Sequence, residues 1–585
     1  MSNSAIKGLL CVLFFFTSLV VIAEPDKKRE DREPEAATGI LVKKTAITKH
    51  AMVATANPYA SNAGLNVLKQ GGSAIDAAIA VQLVLTLVEP QSSGIGGGAF
   101  ILHWDKKSQK LTTFDGRETA PAAATTDMFL DENGRAIPWI KAVVGGHAVG
   151  VPGVLASLKK AHDKYGKLPW ALLFKDAIKL AEAGFIVSPR LEELVAMEFN
   201  PGITKLPTIK GYFFPDGKAV KAGQLLKNPK LAMVYRSIAK DGIEAFYQGW
   251  IAKEIVAAVQ NSPIAPGRLT LTDMKNYRAI QQPAVCGPYR QYQICGMAPP
   301  SSGGVAVIQI LGQLEQFDIA NLSLADAQFA HLFSQSSRLA FADRDHYIAD
   351  SSFVNVPTQG LIAKPYMVKR AALIRLDKDM GTAVAGSPAG ALAQADDNAY
   401  ELPSTSHISI VDQAGNAVSM TTSVEMGFGS ALMVEGFILN NQLTDFSLAP
   451  KRDGLWVANR VEPGKRPRSS MAPMIVFNQD NSLKLVIGSP GGSRIINYVA
   501  QAMIAILDWQ LDPQAAISLP HLTNRNKVTT LEKGTDLEKL KPALEAKGHK
   551  VIVRDLNSGI QAIELSNGYL RGGADPRREG TAIGY

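Results

Sequence analysis

The stretch Ser73–Pro90, SAIDAAIAVQLVLTLVEP, limits what this chain can fold into more than any other. Ser73 and Asp76 have the spacing of a capping box, so the segment opens as a helix, and Pro90 ends it. Its residues are apolar on nearly every face, and a helix without a polar face has to be buried. That demands a large core, which a chain of 585 residues can supply. With 46% hydrophobic and 19% charged residues, the composition is that of a soluble, folded α/β protein.

The net charge of +8 does not point to nucleic acid, because Lys and Arg are interleaved with acids instead of forming a stripe. Near the N-terminus, Lys7 precedes a largely apolar run, Gly8–Ala23, that closes on compact residues. This predicts a secretory signal over 1–23, cut after Ala23, and hence export to the periplasm or the outside of the cell. The rival reading, an uncleaved anchor, asks for roughly 20 spanning residues, and the run is shorter. Residues 24–39 are charged and carry proline, which predicts a flexible lead. Signal cleavage removes Cys11 and leaves Cys286 and Cys295, which flank a turn and an alternating strand. An oxidising compartment favours a disulfide across that hairpin over two free thiols. No CxxC or HExxH spacing suggests a metal site, and no cofactor is expected.

Order is expected from Ile40. Asn57 and Pro58 open a helix that Gly71 stops. The stretches AFILHWD and KLTTFDGRE predict two strands, and Val151–Leu376 predicts a long, mainly helical middle. Between Asp377 and Leu402 the chain loses any period and reads as a loose linker. Beyond it come strands over 406–423, 471–477 and 483–487, and a helix over 492–508.

SHISIV, DQAGN and AVSMTTS form a hairpin pattern in which Val411 faces Ala417, so that Thr405 falls opposite Ser423. Three hydroxyl residues, Ser404, Thr405 and Ser406, stand at its mouth. A hydroxyl attacks carbonyls poorly until something takes its proton. No GxSxG elbow is present, and His407, two residues on, reads as a packed strand residue. The usual devices are an adjacent His, a Lys, or the α-amino group of the hydroxyl residue itself, and the last has a pKa of about 7.7 to 8, already poised near neutrality. It becomes available only if the preceding peptide bond breaks, and the linker is where such a break fits. A polar loop before a strand is the plainer reading of the same residues.

The motifs TSHISIVDQAGNAVSMTTS, GFILNNQLTDFS, GKRPRSSMAPMIV, GSPGGSRI and ADPRREGTAIGY, together with SSGIGGGAF, DGRETAP and PPSSGGV, resemble those of the γ-glutamyltranspeptidases. That family belongs to the N-terminal nucleophile hydrolases. The resemblance implies an α+β fold, an αββα four-layer sandwich with a largely helical middle. It also implies autocleavage between Ser404 and Thr405 into a large subunit, 40–404, and a small subunit, 405–585, that stay together. Thr405 matches the nucleophile, Ser423 a hydroxyl that bonds it, and Gly491 and Gly492 the oxyanion hole. Arg117, Ser469 and Ser470 match groups for a substrate α-carboxylate, and Gln442 and Asp445 match acceptors for its ammonium. Glu425 stands where familiar members place an asparagine. The implied substrates are a γ-glutamyl donor such as glutathione and, as acceptor, water or an amino acid or peptide. The stretch 446–466 lies where some members carry a lid and is short here.

GIGGGA matches a dinucleotide fingerprint loosely but precedes a strand, so tight backbone packing explains it better than NAD. An acylase acting on glutaryl or cephalosporin-type amides would keep Thr405 but have less use for Gln442 and Asp445. An inactive secreted binding protein would have no need of Thr405, Gly491 and Gly492.

Overall fold

The computed structural model describes residues 41–585 apart from 398 and 400. The expected signal and lead, 1–39, lie outside the described residues. Two seven-stranded sheets form the centre. In one the spatial order is Thr581–Gly584, Met52–Thr55, Ser406–Val411, Ala417–Ser423, Gly98–Asp105, Lys110–Gly116 and Ile280–Gln282. In the other it is Ala46–Thr48, Tyr569–Ala574, Gln561–Ser566, Leu483–Gly488, Met474–Phe477, Tyr292–Gly296 and Val285–Tyr289. Neighbouring strands within each are antiparallel.

Strand alternation sorts the side chains into three apolar layers. Met52, Ala54, Phe100 and Leu102 point at the second sheet and meet Ile475, Val486 and Ile563. Their neighbours Val53 and Ile101, with Ile408, Ile410, Val418 and Met420, point the other way, toward the helix Ala74–Val88. On the far face of the second sheet, Met474, Val476, Leu485 and Ile487 join the helices Gly303–Leu314 and Ile495–Leu507. The layers therefore run helix, sheet, sheet, helix, the four-layer α+β sandwich expected.

The apolar helix is buried at every position from Ala74 to Val88 and begins with the Ser73–Asp76 capping box. Asp412, in the turn of the hairpin 406–423, accepts a hydrogen bond from Ala74 N at 3.1 Å, so the helix start and the hairpin tip are tied together. Asn57 caps the preceding helix, Pro58–Lys69, as its sequence predicts. The middle of the chain is mainly helical, broken by the strands over 280–296. There Cys286 and Cys295 are cross-strand neighbours and form a disulfide. No helix among the described residues is long and apolar enough to cross a membrane.

The described residues of the segment 377–402 form no helix or strand, but they are not the loose linker the composition suggests. Asp379 bonds Gln335 and ion-pairs with Arg338. Gly386 N donates to Asp343 and Asp397 N to the backbone of Asp345. All four partners lie on one long helix, Ala327–Tyr347, and that distance in sequence is why no local pattern announces the contacts.

Glu118 follows the strand Lys110–Gly116 and is wholly buried. Burial, against the pull of Arg117, pushes its carboxyl up to about 8. The folded chain therefore holds this proton to about pH 8, whereas the ordinary value is 4.5, so the folded state binds more protons across that window. Stability falls as pH rises through it. Glu118→Gln removes this loss: melting temperatures taken from pH 5 to 8 should decline less steeply in the variant than in the wild type. A second test addresses the apolar helix. Leu83→Ala empties a fully covered site and should lower the urea-unfolding free energy by about 2–5 kcal/mol.

Candidate active site

The hairpin register pairs Ser406 with Thr422 and His407 with Thr421, so Thr405 enters the sheet opposite Ser423. Thr405 Oγ1 donates to Ser423 Oγ at 3.3 Å, and Ser423 Oγ donates to the carbonyl of Ser404 at 2.8 Å. The Glu425 backbone N–H in turn donates to Ser423 Oγ at 2.9 Å. A chain of hydrogen bonds thus leads from the Thr405 hydroxyl back to the carbonyl of the peptide bond before it. That peptide is held on both sides: Ser404 Oγ donates to Gln91 O at 2.7 Å, and Arg578 Nη1 to Thr405 O at 3.2 Å. His407 serves no such purpose. Its ring nitrogens bond Thr421 and Ser409, and burial pushes its pKa down to about 3.

The glycines of SSGIGGGAF have a packing role. A Cβ on Gly97 would stand 2.1 Å from Ser423 O, and one on Gly96 2.2 Å from Ile438 O. Only bare backbone lets this segment lie against the strand that carries Ser423. Gly491 and Gly492 link the strand Leu483–Gly488 to the helical segment beginning at Gly492. Both have positive φ, 135° and 56°, where other residues are strained. A Cβ on Gly492 would be 2.7 Å from the carbonyl carbon of Leu402, so this turn lies against the chain just before Thr405.

A small space of about 20 Å³ is lined by Thr405, Ser423, Glu425, Gln442, Asp445, Ser469, Ser470 and Gly492, and also by Glu401 and Leu402. Its charged wall residues are the three acids Glu401, Glu425 and Asp445, and only the first is backed by two arginines. At one end, Glu401 ion-pairs with Arg344 and lies 3.5 Å from Arg468 Nε, and Ser470 donates to its carboxylate. Burial works against the charge on Glu401, but Arg344 and Arg468 outweigh it and hold the pKa below the ordinary carboxylate value. At the other end stand Glu425 and Asp445. Burial, reinforced by Asp445, raises the Glu425 pKa well above normal. Burial also lifts Asp445 to about 7, against the pull of Arg117. Asn441 donates to Glu425 at 2.6 Å, Gln442 to Asp445 at 3.5 Å, and one oxygen of each carboxyl has no hydrogen-bond partner. Glu425, costly to ionise without a cation, and the free oxygen of Asp445, whose other oxygen Arg117 holds, form a place for a cation.

Thr405, Ser423, Glu425, Gln442, Asp445, Ser469, Ser470 and Gly492 are therefore gathered around one space. Gly491 adjoins them but packs on Tyr498. Arg117 lies outside the lining, fully buried behind Asp445. It donates to Asp445 at 2.5 Å and to the carbonyls of Pro467 and Arg468 at 3.1 and 2.6 Å. Arg344, Arg468 and Glu401 are absent from the sequence expectation. Arg468 had a usable signal, a cation directly before the two serines; Arg344, inside a long helix, had none. Among the described residues no group of three or more His, Cys, Asp or Glu is placed to hold a metal ion.

Residues 60–585 match the family described as Gamma-glutamyltranspeptidase. The chain is 38% identical to a glutathione hydrolase proenzyme of Bacillus subtilis, over 100% of this chain and 98% of the relative. It is 34% identical to the Acylase ACY 1 proenzyme of a Pseudomonas species, over 94% of this chain and 96% of the relative. Among solved structures, a cephalosporin acylase from Bacillus halodurans superposes with a TM-score of 0.82 at 29% identity, covering 93% of this chain and 97% of that one. With nearly the whole chain matched and the hydroxyl hairpin, the glycine turn and the two-ended pocket in place, this protein belongs to the γ-glutamyltranspeptidase family.

Proposed function

We propose that this γ-glutamyl transferase and hydrolase is made as one chain, exported, and activated by its own Thr405. The signal 1–23 and the lead 24–39 precede a large subunit, 40–404, and a small subunit, 405–585. The Cys286–Cys295 bond suits an oxidising compartment outside the cytoplasm.

One observation carries the reading: the hydrogen-bond chain from Thr405 Oγ1 through Ser423 Oγ to the Ser404 carbonyl. Thr405 Oγ1 attacks that carbonyl carbon, and its proton passes to the Thr405 nitrogen as the C–N bond breaks. Ser423, already donating to the carbonyl oxygen, stabilises the charge that builds there. Water then hydrolyses the ester, leaving a carboxylate on Ser404 and a free amine and hydroxyl on Thr405. The amine is the base that the uncut chain lacks.

In the second reaction the same hydroxyl, losing its proton to the Thr405 amine, attacks the γ-carbonyl of a glutamyl amide, with the oxyanion held at Gly491 and Gly492; the amide C–N bond then breaks and the amine leaves with that proton. The γ-glutamyl ester passes its acyl group to water or to an amino acid or peptide. A glutamyl group carries an ammonium and a carboxylate on one carbon, and the two-ended pocket is built for that pair. Glu425, Gln442 and Asp445 take the ammonium. Ser469, Ser470, Arg344 and Arg468 take the carboxylate, and Arg117 sets Asp445 and the 467–468 backbone from behind. Glutathione fits this description as donor.

In the continuous chain, Glu401 already fills the carboxylate end, and about 20 Å³ leaves room for little more than a water. Cleavage frees the segment ending at Ser404, and its withdrawal opens the site. A glutaryl acylase is the second reading, favoured by the likeness to Acylase ACY 1. The buried Glu425 and Asp445 count against it, because a glutaryl group offers them no cation.

Thr405→Ala should run as a single band on a denaturing gel and release no glutamate from glutathione; a processed variant would remove Thr405 from the cleavage step. Ser423→Ala keeps the nucleophile but loses the donor to the scissile carbonyl. Its rate of conversion from one band to two should fall by about 10²-fold or more, and cleavage at the wild-type rate would show that Ser423 is a bystander.

A further inference from the structure

Lys43 ties the beginning of the described chain to its end. Its Nζ donates to three backbone carbonyls of one turn, Asp575 O at 2.6 Å, Arg578 O at 2.7 Å and Gly580 O at 2.6 Å. An ammonium has three N–H donors, and all three are used here. Two residues earlier, Leu41 N donates to Pro576 O at 2.9 Å. Carbonyl oxygens that converge on one point repel one another unless a positive group stands between them. The shape of the 575–580 turn therefore rests on the charge of Lys43.

The turn carries Arg578, whose buried guanidinium bridges two carbonyls: Nε donates to Ser558 O at 2.9 Å and Nη1 to Thr405 O at 3.2 Å. Arg578 N donates to Asp575 O, an oxygen that Lys43 also takes. The Arg578 backbone is thus held at its N–H by Asp575 and at its carbonyl by Lys43, and its side chain carries that position to Thr405. In the continuous chain Thr405 is held on both sides, through the Ser404 peptide and through its own carbonyl. On the self-processing reading, scission releases the first hold. The hold on the Thr405 carbonyl then has to keep the new terminal residue opposite Ser423.

Building on that reading, we propose that Lys43 is a positioning residue for the nucleophile: from the large subunit it locks the 575–580 turn of the small subunit, and through Arg578 it fixes Thr405 for attack. Lys43 does not line the acyl pocket, so its effect falls on kcat and not on donor binding. Its ammonium performs the task, not its bulk. The carboxylates facing it are Asp575 and Glu579, and the same turn carries Arg577 and Arg578; burial outweighs the two acids and pushes the Lys43 pKa down to about 8. Below that pH the ammonium serves all three carbonyls. Above it a neutral amine has only two N–H groups and turns a lone pair toward the third.

The test reads kcat and KM for γ-glutamyl-4-nitroanilide per mole of cleaved small subunit. Lys43→Met should lower kcat about tenfold or more and change KM by less than about twofold. The ratio of wild-type to Lys43→Met kcat should shrink as pH rises from about 7 to about 9.5, and the Thr405 amine, which titrates in both proteins, cancels from it. Lys43→Cys supplies a rescue, because Cys286 and Cys295 are bonded to each other and Cys11 leaves with the signal, so the new thiol stands alone. Treatment with 2-bromoethylamine rebuilds a side chain of lysine length that ends in an ammonium and should restore most of the wild-type kcat. Ethyl methanethiosulfonate gives an apolar side chain of the same length and should not. Wild-type kcat in Lys43→Met, or equal recovery with the apolar cap, overturns the positioning role and leaves the γ-glutamyl reading intact. If the unmodified variants stay uncut, both reagents are applied to the uncut Lys43→Cys chain and a denaturing gel is read: two bands with the ammonium and one with the ethyl cap support Lys43, and the same result with both overturns it. Cleaved wild type that does not turn over the donor overturns the γ-glutamyl reading, and this inference with it.

Discussion

The hairpin Ser406–Ser423 is the constraint on which the remaining structure depends. It lies at the centre of its sheet and is buried on both faces, with Ile408, Ile410, Val418 and Met420 in one apolar layer. Polar residues on the opposite face are satisfied: His407 and Ser409 bond within the sheet and to Gln561 O, and Ser419 bonds Ile487 O. A slip of one residue would drive hydroxyls and an imidazole into the helix-side core and leave isoleucines facing carbonyls. Register is therefore held from both sides. That register, and nothing local to the hydroxyl cluster, sets Thr405 against Ser423.

Around this fixed point the site is assembled from distant parts of the chain. Bare glycine backbone lets a loop press on the Ser423 strand at Gly97 and on Ile438 at Gly96. Arg578, close to the C-terminus, holds the Thr405 carbonyl. The long helix Ala327–Tyr347 both pins the segment 377–402 and supplies Arg344. One consequence is that the segment whose release we propose also places Glu401 in the wall of the pocket. On that reading, processing and access to the site are linked through Glu401.

Charge around the pocket is arranged in two groups. Glu425 and Asp445, two acids whose pKa values are raised by burial, stand in its wall, and Arg344 and Arg468, which hold Glu401 ionised, stand behind that carboxylate. Arg117 already pairs with Asp445, as Arg344 does with Glu401, whereas Glu425 has no cationic partner among the described residues. On the proposed reading, a ligand with an ammonium and a carboxylate on one carbon meets Glu425 and Asp445 with the first and takes the place of Glu401 with the second.

Much of this was legible in the sequence by itself. The capping box and apolar run of Ala74–Val88, the hairpin with its register, the cysteine pair and the glycine turn are all set by neighbours a few residues apart, where periodicity and turn chemistry act. Tertiary structure decided what depends on long-range contact. It converted an apparently loose linker into a pinned strap, placed Arg117 behind Asp445 instead of in the pocket wall, and brought Arg344, Arg468 and Glu401 together. Those residues meet because separate layers of the sandwich pack on one another. A buried ion pair between positions 57 apart in the chain leaves no mark on the local pattern of either.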